Sequence, residues 1–192
     1  MSYSMSDNKM IILSAPSGSG KSTIIQYLLQ KGFPLEFSIS ATTRAPRGTE
    51  KNGVEYYFYT VEEFKKKIEN QEFVEFEEVY QNRFYGTLKS ECERIWSKGN
   101  VIVFDVDVAG GMRLKKLFGD KALSLFIQAP SVDVLRQRLE GRKTDSPEEI
   151  QKRLDKAAYE MQFASKFDKI VINDELSKAC ADAEQLLVDF LK

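Results

Sequence analysis

The stretch Met10-Ile-Ile-Leu-Ser-Ala-Pro-Ser-Gly-Ser-Gly-Lys-Ser22 decides the architecture. Its first part, MIILS at residues 10–14, is a short apolar run of the kind that forms a strand buried on both faces of a parallel sheet. Its second part, APSGSGKS at residues 15–22, is small and polar and ends in Gly-Lys-Ser. Beyond it Ile24, Ile25, Leu28 and Leu29 fall on one face of a helix that is expected to run from Lys21 to near Gly32. Strand, glycine-rich loop and helix in this order make a phosphate cradle. Backbone N–H groups wrap the anion, the helix N-terminus adds a favourable dipole, Lys21 supplies charge, and the Ser22 hydroxyl can ligate Mg²⁺. Gly18 and Gly20 stand where Cβ atoms would obstruct, and Ala15 stands where the full pattern asks for glycine. The competing reading is a Gly/Ser-rich turn with an incidental lysine, and the flanking strand and helix argue against it.

Three further apolar runs repeat the theme. Val101–Phe104 stops at Asp105, Ala122–Ile127 follows, and Lys169–Ile172 stops at Asn173. With helical patterns between them, these runs predict a parallel sheet covered by helices on both faces. Ligands of such sheets bind beyond the carboxyl ends of the strands, which places Ser14, Asp105 and Asn173 around one crevice. Two helix starts are well signed: Thr60 with Glu63, and Ser146 with Pro147 and Glu149. A last helix is expected to bury a stripe from Leu176 through Ala179, Cys180, Ala183, Leu186 and Leu187 to Phe190.

The segment 37–96 differs in character, being aromatic, charged and patterned as short strands with turns, and reads as an insertion that binds the acceptor. Residues 10–36 and 97–192 then form the core, and a polar loop within about 138–147 suits a mobile lid. Residues 1–9 read as a flexible tail with neither a signal-peptide core nor a transit pattern, which gives an expectation of a cytoplasmic protein.

Composition narrows the chemistry. A chain of 192 residues with 42% hydrophobic and 30% charged residues suits one compact globular domain. A net charge of −1 gives no global attraction to nucleic acid or an anionic membrane, and no apolar run reaches membrane-spanning length. The chain has no histidine, which excludes His-dependent triads and His-ligated metals. Cys92 and Cys180 have no CxxC partner and read as reduced, small apolar residues. An anionic ligand must therefore be held by arginine, lysine, backbone amides or a carboxylate-bound cation.

Within the insertion, Arg44 and Arg47 lie close together with Pro46 stiffening the turn, a spacing that suits a bidentate grip on one phosphate. Exposed surface arginines would look the same in isolation. At this point the chain resembles the guanylate kinase family. The resemblance is carried, in order, by APSGSGKS, FSISATTRAPRGTE, NGVEYYF, FVEFEEV, FYGT, FDVDVAGG, RLEGR, EEIQKRL and VINDE, which together span residues 10–175. It implies a P-loop NTPase-type parallel sheet with an inserted mixed α+β arm for a nucleoside monophosphate and a short lid. It also implies ATP and GMP as substrates, dGMP as a further acceptor, and Mg²⁺ as cofactor.

By that resemblance the loop residues Ala15, Pro16, Ser17, Gly18, Ser19, Gly20, Lys21, Ser22 and Thr23 hold ATP, with Arg138 or its neighbour Arg136, and Asn173, at the adenine. Arg44, Arg47, Tyr56 and Tyr85 hold the GMP phosphate, while Ser40, Glu75 and Thr87 read guanine. The chemistry agrees for Glu75, since a carboxylate accepts from the N1–H and 2-amino group that adenine does not present. Asp105 and Asp107 order the water shell of Mg²⁺ beside Ser22 or approach the acceptor, the two roles being left undivided. Lys21, Arg44, Arg142 and Arg153 are the expected catalytic residues, because phosphoryl transfer develops charge that arriving cations stabilise. Ala109 stands where glutamine is common in the family, and the Glu75–Gly86 interval is one residue longer. Three other readings compete. One is a peptide-binding scaffold module that has lost catalysis. The others are a P-loop kinase for a different acceptor and an NTPase coupled to motion. Oligomeric state is not legible.

Overall fold

In the computed structural model, which describes residues 8–141 and 146–192, strand β1 (Met10–Ser14) is buried along its whole length. It lies between β7 (Val101–Asp105) and β8 (Ala122–Gln128) in a five-stranded sheet of order β2-β7-β1-β8-β9. The outer strands are β2 (Leu35–Phe37) and β9 (Lys169–Ile172), and every pairing in this sheet is parallel. Alternation along β1 divides the core. Ile11 and Leu13 pack with α1 (Lys21–Gln30) and α7 (Leu176–Leu191) on one face. Met10 and Ile12 pack with Cys92 and Ile95 of α3 (Lys89–Trp96) and Leu114 of α4 (Val108–Phe118) on the other. This is the α/β layering that the apolar runs predict.

The expected stripe of α7 is buried at Ala179, Cys180, Ala183 and Leu187, whereas Leu176, the first residue of the helix, is 43% exposed. Both cysteines are unpaired and buried, and burial pushes the Cys92 thiol up to about 12, as suits packing rather than reactivity. Among the described residues, no helix is long and apolar enough to cross a membrane.

The arm is a second, mixed sheet of order β4-β3-β6-β5. It comprises β3 (Ala41–Thr42), β4 (Tyr57–Phe58), β5 (Phe73–Tyr80) and β6 (Arg83–Leu88). Helix α2 (Val61–Glu69) starts on the Thr60–Glu63 capping box and presses Phe64 onto Phe73 and Phe84, at ring distances of 4.3 and 5.3 Å. The arm therefore has a small aromatic core of its own. At the two ends of the 37–96 segment, Phe37 closes β2 in the core sheet, and Cys92 and Ile95 of α3 pack with core residues. Helices α5 (Val132–Gly141) and α6 (Pro147–Met161) flank the expected lid, and the Ser146–Glu149 capping box opens α6. Residues 142–145, Arg142 included, lie outside the described residues, as do residues 1–7 of the expected tail. Lys9, at the end of that tail, donates to the Phe190 carbonyl at 2.9 Å.

Candidate active site

Strand β1 delivers the chain to the loop 15–20, and α1 begins directly after it. Gly18 and Gly20 both have φ of +89°, a region that glycine enters without steric cost. A Cβ on Gly20 would lie 2.3 Å from the side-chain nitrogen of Asn173. That contact shows how the loop is shaped: Asn173 Nδ2, buried at the end of β9, donates to the Ser19 carbonyl at 2.8 Å. Ala15 is not at positive φ, and its methyl packs on the core cluster, which is why alanine serves where the pattern asks for glycine.

Lys21 Nζ forms an ion pair with Asp105 at the end of β7 and also donates to the Val106 carbonyl at 3.3 Å. Ser17 through Thr23, Asp105 and Asp107 line one cleft together with Lys156 and Glu160 of α6. Arg153, Lys156 and Glu160 fall on one face of that helix by their spacing. Among the described residues, no group of three acidic, histidine or cysteine side chains could hold a metal. The donors present, a hydroxyl at Ser22 and a carboxylate at Asp105, suit Mg²⁺ held largely by phosphate oxygens and water.

Arg138, expected at the adenine, donates to the Asn173 carbonyl at 2.8 Å and lines a crevice with Gly18, Gly20, Thr23 and Asp174. Arg136 donates instead to Gln151 on α6 at 3.2 Å, so of the two arginines Arg138 lines the crevice. Asn173, expected near adenine, has its amide turned onto the loop backbone.

A second cleft, lying between the arm and the end of β7, is lined by Ser40, Tyr56, Glu75, Tyr85, Asp105 and Asp107, all expected at the acceptor or the metal, together with Glu77 and Arg113. Glu75 is largely buried, with its side chain 13% exposed, and accepts from Thr87 Oγ1 at 3.0 Å. Burial pushes its carboxyl pKa up, against the pull of Thr87 and of Arg113, whose guanidinium is 3.8 Å away. Arg113 Nη2 also pairs with Glu77 at 2.6 Å, tying α4 to β5 across the cleft mouth.

Asp107 caps α4 by accepting from the Gly110 N–H at 2.7 Å. Arg44 is 9% exposed, lies over the Tyr56 ring at 4.9 Å, and donates twice to Glu50 at 2.7 and 2.9 Å. The Arg47 N–H joins the same carboxylate at 2.7 Å. Those bonds, Arg44 first, hold the Glu50 carboxyl down at about 2.

Sequence reading missed Glu50, Glu77, Arg113, Lys156 and Glu160. For Glu50 a signal existed, since an acid three residues past Arg47 closes a turn. The others sit on amphipathic elements where acids and arginines are usually solvated.

A parallel core with a phosphate loop, facing a separately packed arm across a shared strand end, defines a P-loop nucleotide kinase. The comparisons agree on which one. A family model described as guanylate kinase matches residues 7–189. A guanylate kinase of Bacteroides thetaiotaomicron is 57% identical over 183 residues, covering 95% of this chain and 90% of its own. One of Porphyromonas gingivalis is 52% identical over 184 residues, covering 95% and 98%. The crystal structure of guanylate kinase from Anaplasma phagocytophilum matches with a TM-score of 0.73 at 29% identity, over 97% of this chain and 88% of that one. The chain belongs to the guanylate kinase family, whose enzymes phosphorylate GMP.

Proposed function

We propose that the protein transfers the γ-phosphate of ATP, as its Mg²⁺ complex, to GMP and to dGMP. The observation that carries this reading is that the phosphate-loop cleft and the acceptor cleft share Asp105, Val106 and Asp107. A donor phosphate cradled by the loop and an acceptor phosphate in the arm then meet at the end of β7.

In this reading the loop residues 15–23 wrap the β- and γ-phosphates. Lys21 exchanges its pairing with Asp105 for the phosphate oxygens, and Ser22 with Asp105 would hold Mg²⁺, partly through water. When bound, the ion screens phosphate charge and aligns the oxygens. Arg138 flanks the adenine, and Asn173 acts through the loop backbone.

Arg44 trades Glu50 for the GMP phosphate, joined by Arg47, Tyr56 and Tyr85. Ser40, Glu75 and Thr87 read the guanine edge, with Asp107 beside them. Arg142 and Arg153 stabilise the charge that develops in transfer. No general base is required, because the attacking phosphate oxygen is already anionic, so positioning and charge carry the reaction.

Arm contacts to the base and phosphate do not distinguish the sugar, which is the reason for including dGMP. The absence of excess positive charge gives no support for nucleic acid as a partner. A cytoplasmic location fits substrates of this kind.

The reading is tested by ADP release with ATP and Mg²⁺ against GMP, dGMP, AMP, UMP and no acceptor. Turnover with the guanine nucleotides alone is expected, absent without Mg²⁺. ADP release that ignores the acceptor would make the protein a hydrolase, and inactivity beside tight peptide binding would favour a scaffold.

A further inference from the structure

Glu91 lies in the first turn of α3 and is 2% exposed, yet it is absent from both clefts. Its carboxylate is saturated. Oε1 accepts from the Ile39 N–H at 2.8 Å and from Arg94 Nη2 at 2.8 Å. Oε2 accepts from the Tyr57 hydroxyl at 3.0 Å and from Arg94 Nε at 2.9 Å. Arg94 reaches on to Glu36 of β2, and Lys98 and Asn100 close on the same Glu36 at 2.8 and 2.9 Å. Burial raises the Glu91 pKa, but the bonds from Arg94, Ile39 and Tyr57 outweigh it and leave the carboxyl below its usual range.

The partners matter because of where they stand. The chain crosses from core to arm once between β2 and β3, at Ile39, and returns once from β6 into α3, where Glu91 sits. Ile39 precedes Ser40, whose carbonyl accepts from the Tyr57 N–H at 2.9 Å, and Tyr57 follows Tyr56, the ring beneath Arg44. One buried charge thus joins both crossings to the back of the acceptor cleft. A buried carboxylate with every lone pair used has a narrow choice of geometry, so its partners are held with it.

We propose that Glu91 is a positioning residue for the acceptor nucleotide. By holding the Ile39 amide, the Tyr57 hydroxyl and Arg94 together, it locks the two crossings and sets Ser40 and Tyr56 against GMP. The inference rests on the acceptor-site reading above. It differs from a purely structural role in acting on one substrate and not the other.

The test compares Glu91→Gln, Tyr57→Phe and their double variant by KM for each substrate, by calorimetric titration with GMP, and by thermal unfolding. Glutamine presents an amide nitrogen to donors that now meet an oxygen, whereas Tyr57→Phe removes a single bond and keeps the ring. The expected result is that Glu91→Gln raises KM and Kd for GMP about fivefold or more and Tyr57→Phe about two- to threefold, with KM for ATP moving less than about twofold. The double variant is expected to be no worse than Glu91→Gln alone, since both act through one network.

Ser40→Ala and Tyr56→Phe separate the two ideas. If these raise KM for GMP while Glu91→Gln and Tyr57→Phe only lower the melting temperature, the positioning role is overturned and the site reading stands. If none of the four affects GMP, the site reading fails first. Should Glu91→Gln fail to fold, Tyr57→Phe alone decides.

Discussion

Two carboxylates of the arm show how opposite environments give opposite pH dependence. Glu75 is buried, so its folded pKa is raised above 4.5. The folded state therefore holds that proton more tightly, and stability is lost as pH rises from about 4.5 through the raised folded value. Glu75→Gln removes this cost while keeping an acceptor for Thr87. The variant is expected to gain up to about 1 kcal/mol at neutral pH in urea unfolding, while its KM for GMP rises at least about tenfold.

Glu50 is the reverse. Its folded carboxyl sits at about 2, so its contribution is present above the unfolded value of 4.5 and fades as pH falls towards 2. Urea titrations of parent and Glu50→Gln are expected to converge across that window. Lys21, ion-paired with Asp105 at the head of α1, is the cation proposed to draw the donor phosphate. Lys21→Ala is expected to lower kcat by about a hundredfold or more in the ADP-release assay, with the fold retained.

Among the elements, the phosphate loop owes its shape to β9 as much as to its own glycines. Gly20→Ala would meet both a φ of +89° and the Asn173 amide at 2.3 Å. It is expected to cost about 1–3 kcal/mol and to raise KM for ATP. Asn173→Ala, which leaves the backbone of the loop unstrained but frees the Ser19 carbonyl, should raise KM for ATP with a smaller loss of stability. Thermal unfolding and initial rates distinguish them.

These elements also show what could be read along the chain. The bounds of β1, α1 and β9, and both capping boxes, follow from near neighbours: apolar runs, glycine at the turn, and Ser or Thr three residues before Glu. The placing of Asn173 behind the loop does not, because 154 positions separate it from Ser19.

At the scale of the molecule, the core and the arm bury separate clusters, joined through two crossings, through Val74 of β5 packed on the core, and through the pairs of Arg113 with Glu75 and Glu77. The Arg113–Glu77 pair is more than a third exposed on both sides, at 42% and 37%, so it steers the arm weakly. Damage to the arm should therefore spare the donor site. Phe64→Leu, in the stacked aromatic centre, is expected to cost about 1–2 kcal/mol and to weaken GMP in calorimetric titration, leaving binding of a non-hydrolysable ATP analogue unchanged.

The amino-acid sequence by itself determined the strand, loop and helix of the phosphate site, the parallel sheet and the separate character of the arm. Those features rest on periodicity, capping and turn chemistry, which act over a few residues. Only the tertiary structure decided that Glu50 holds Arg44, that Arg113 faces Glu75, and that Glu91 binds both crossings. Such acids and arginines follow the same local pattern as solvated ones. Their roles arise when the fold brings groups as distant as Ile39 and Glu91, 52 positions apart, into one shared site in which Glu91 is 2% exposed. There a hydrogen bond or charge gains the strength that solvent would otherwise screen.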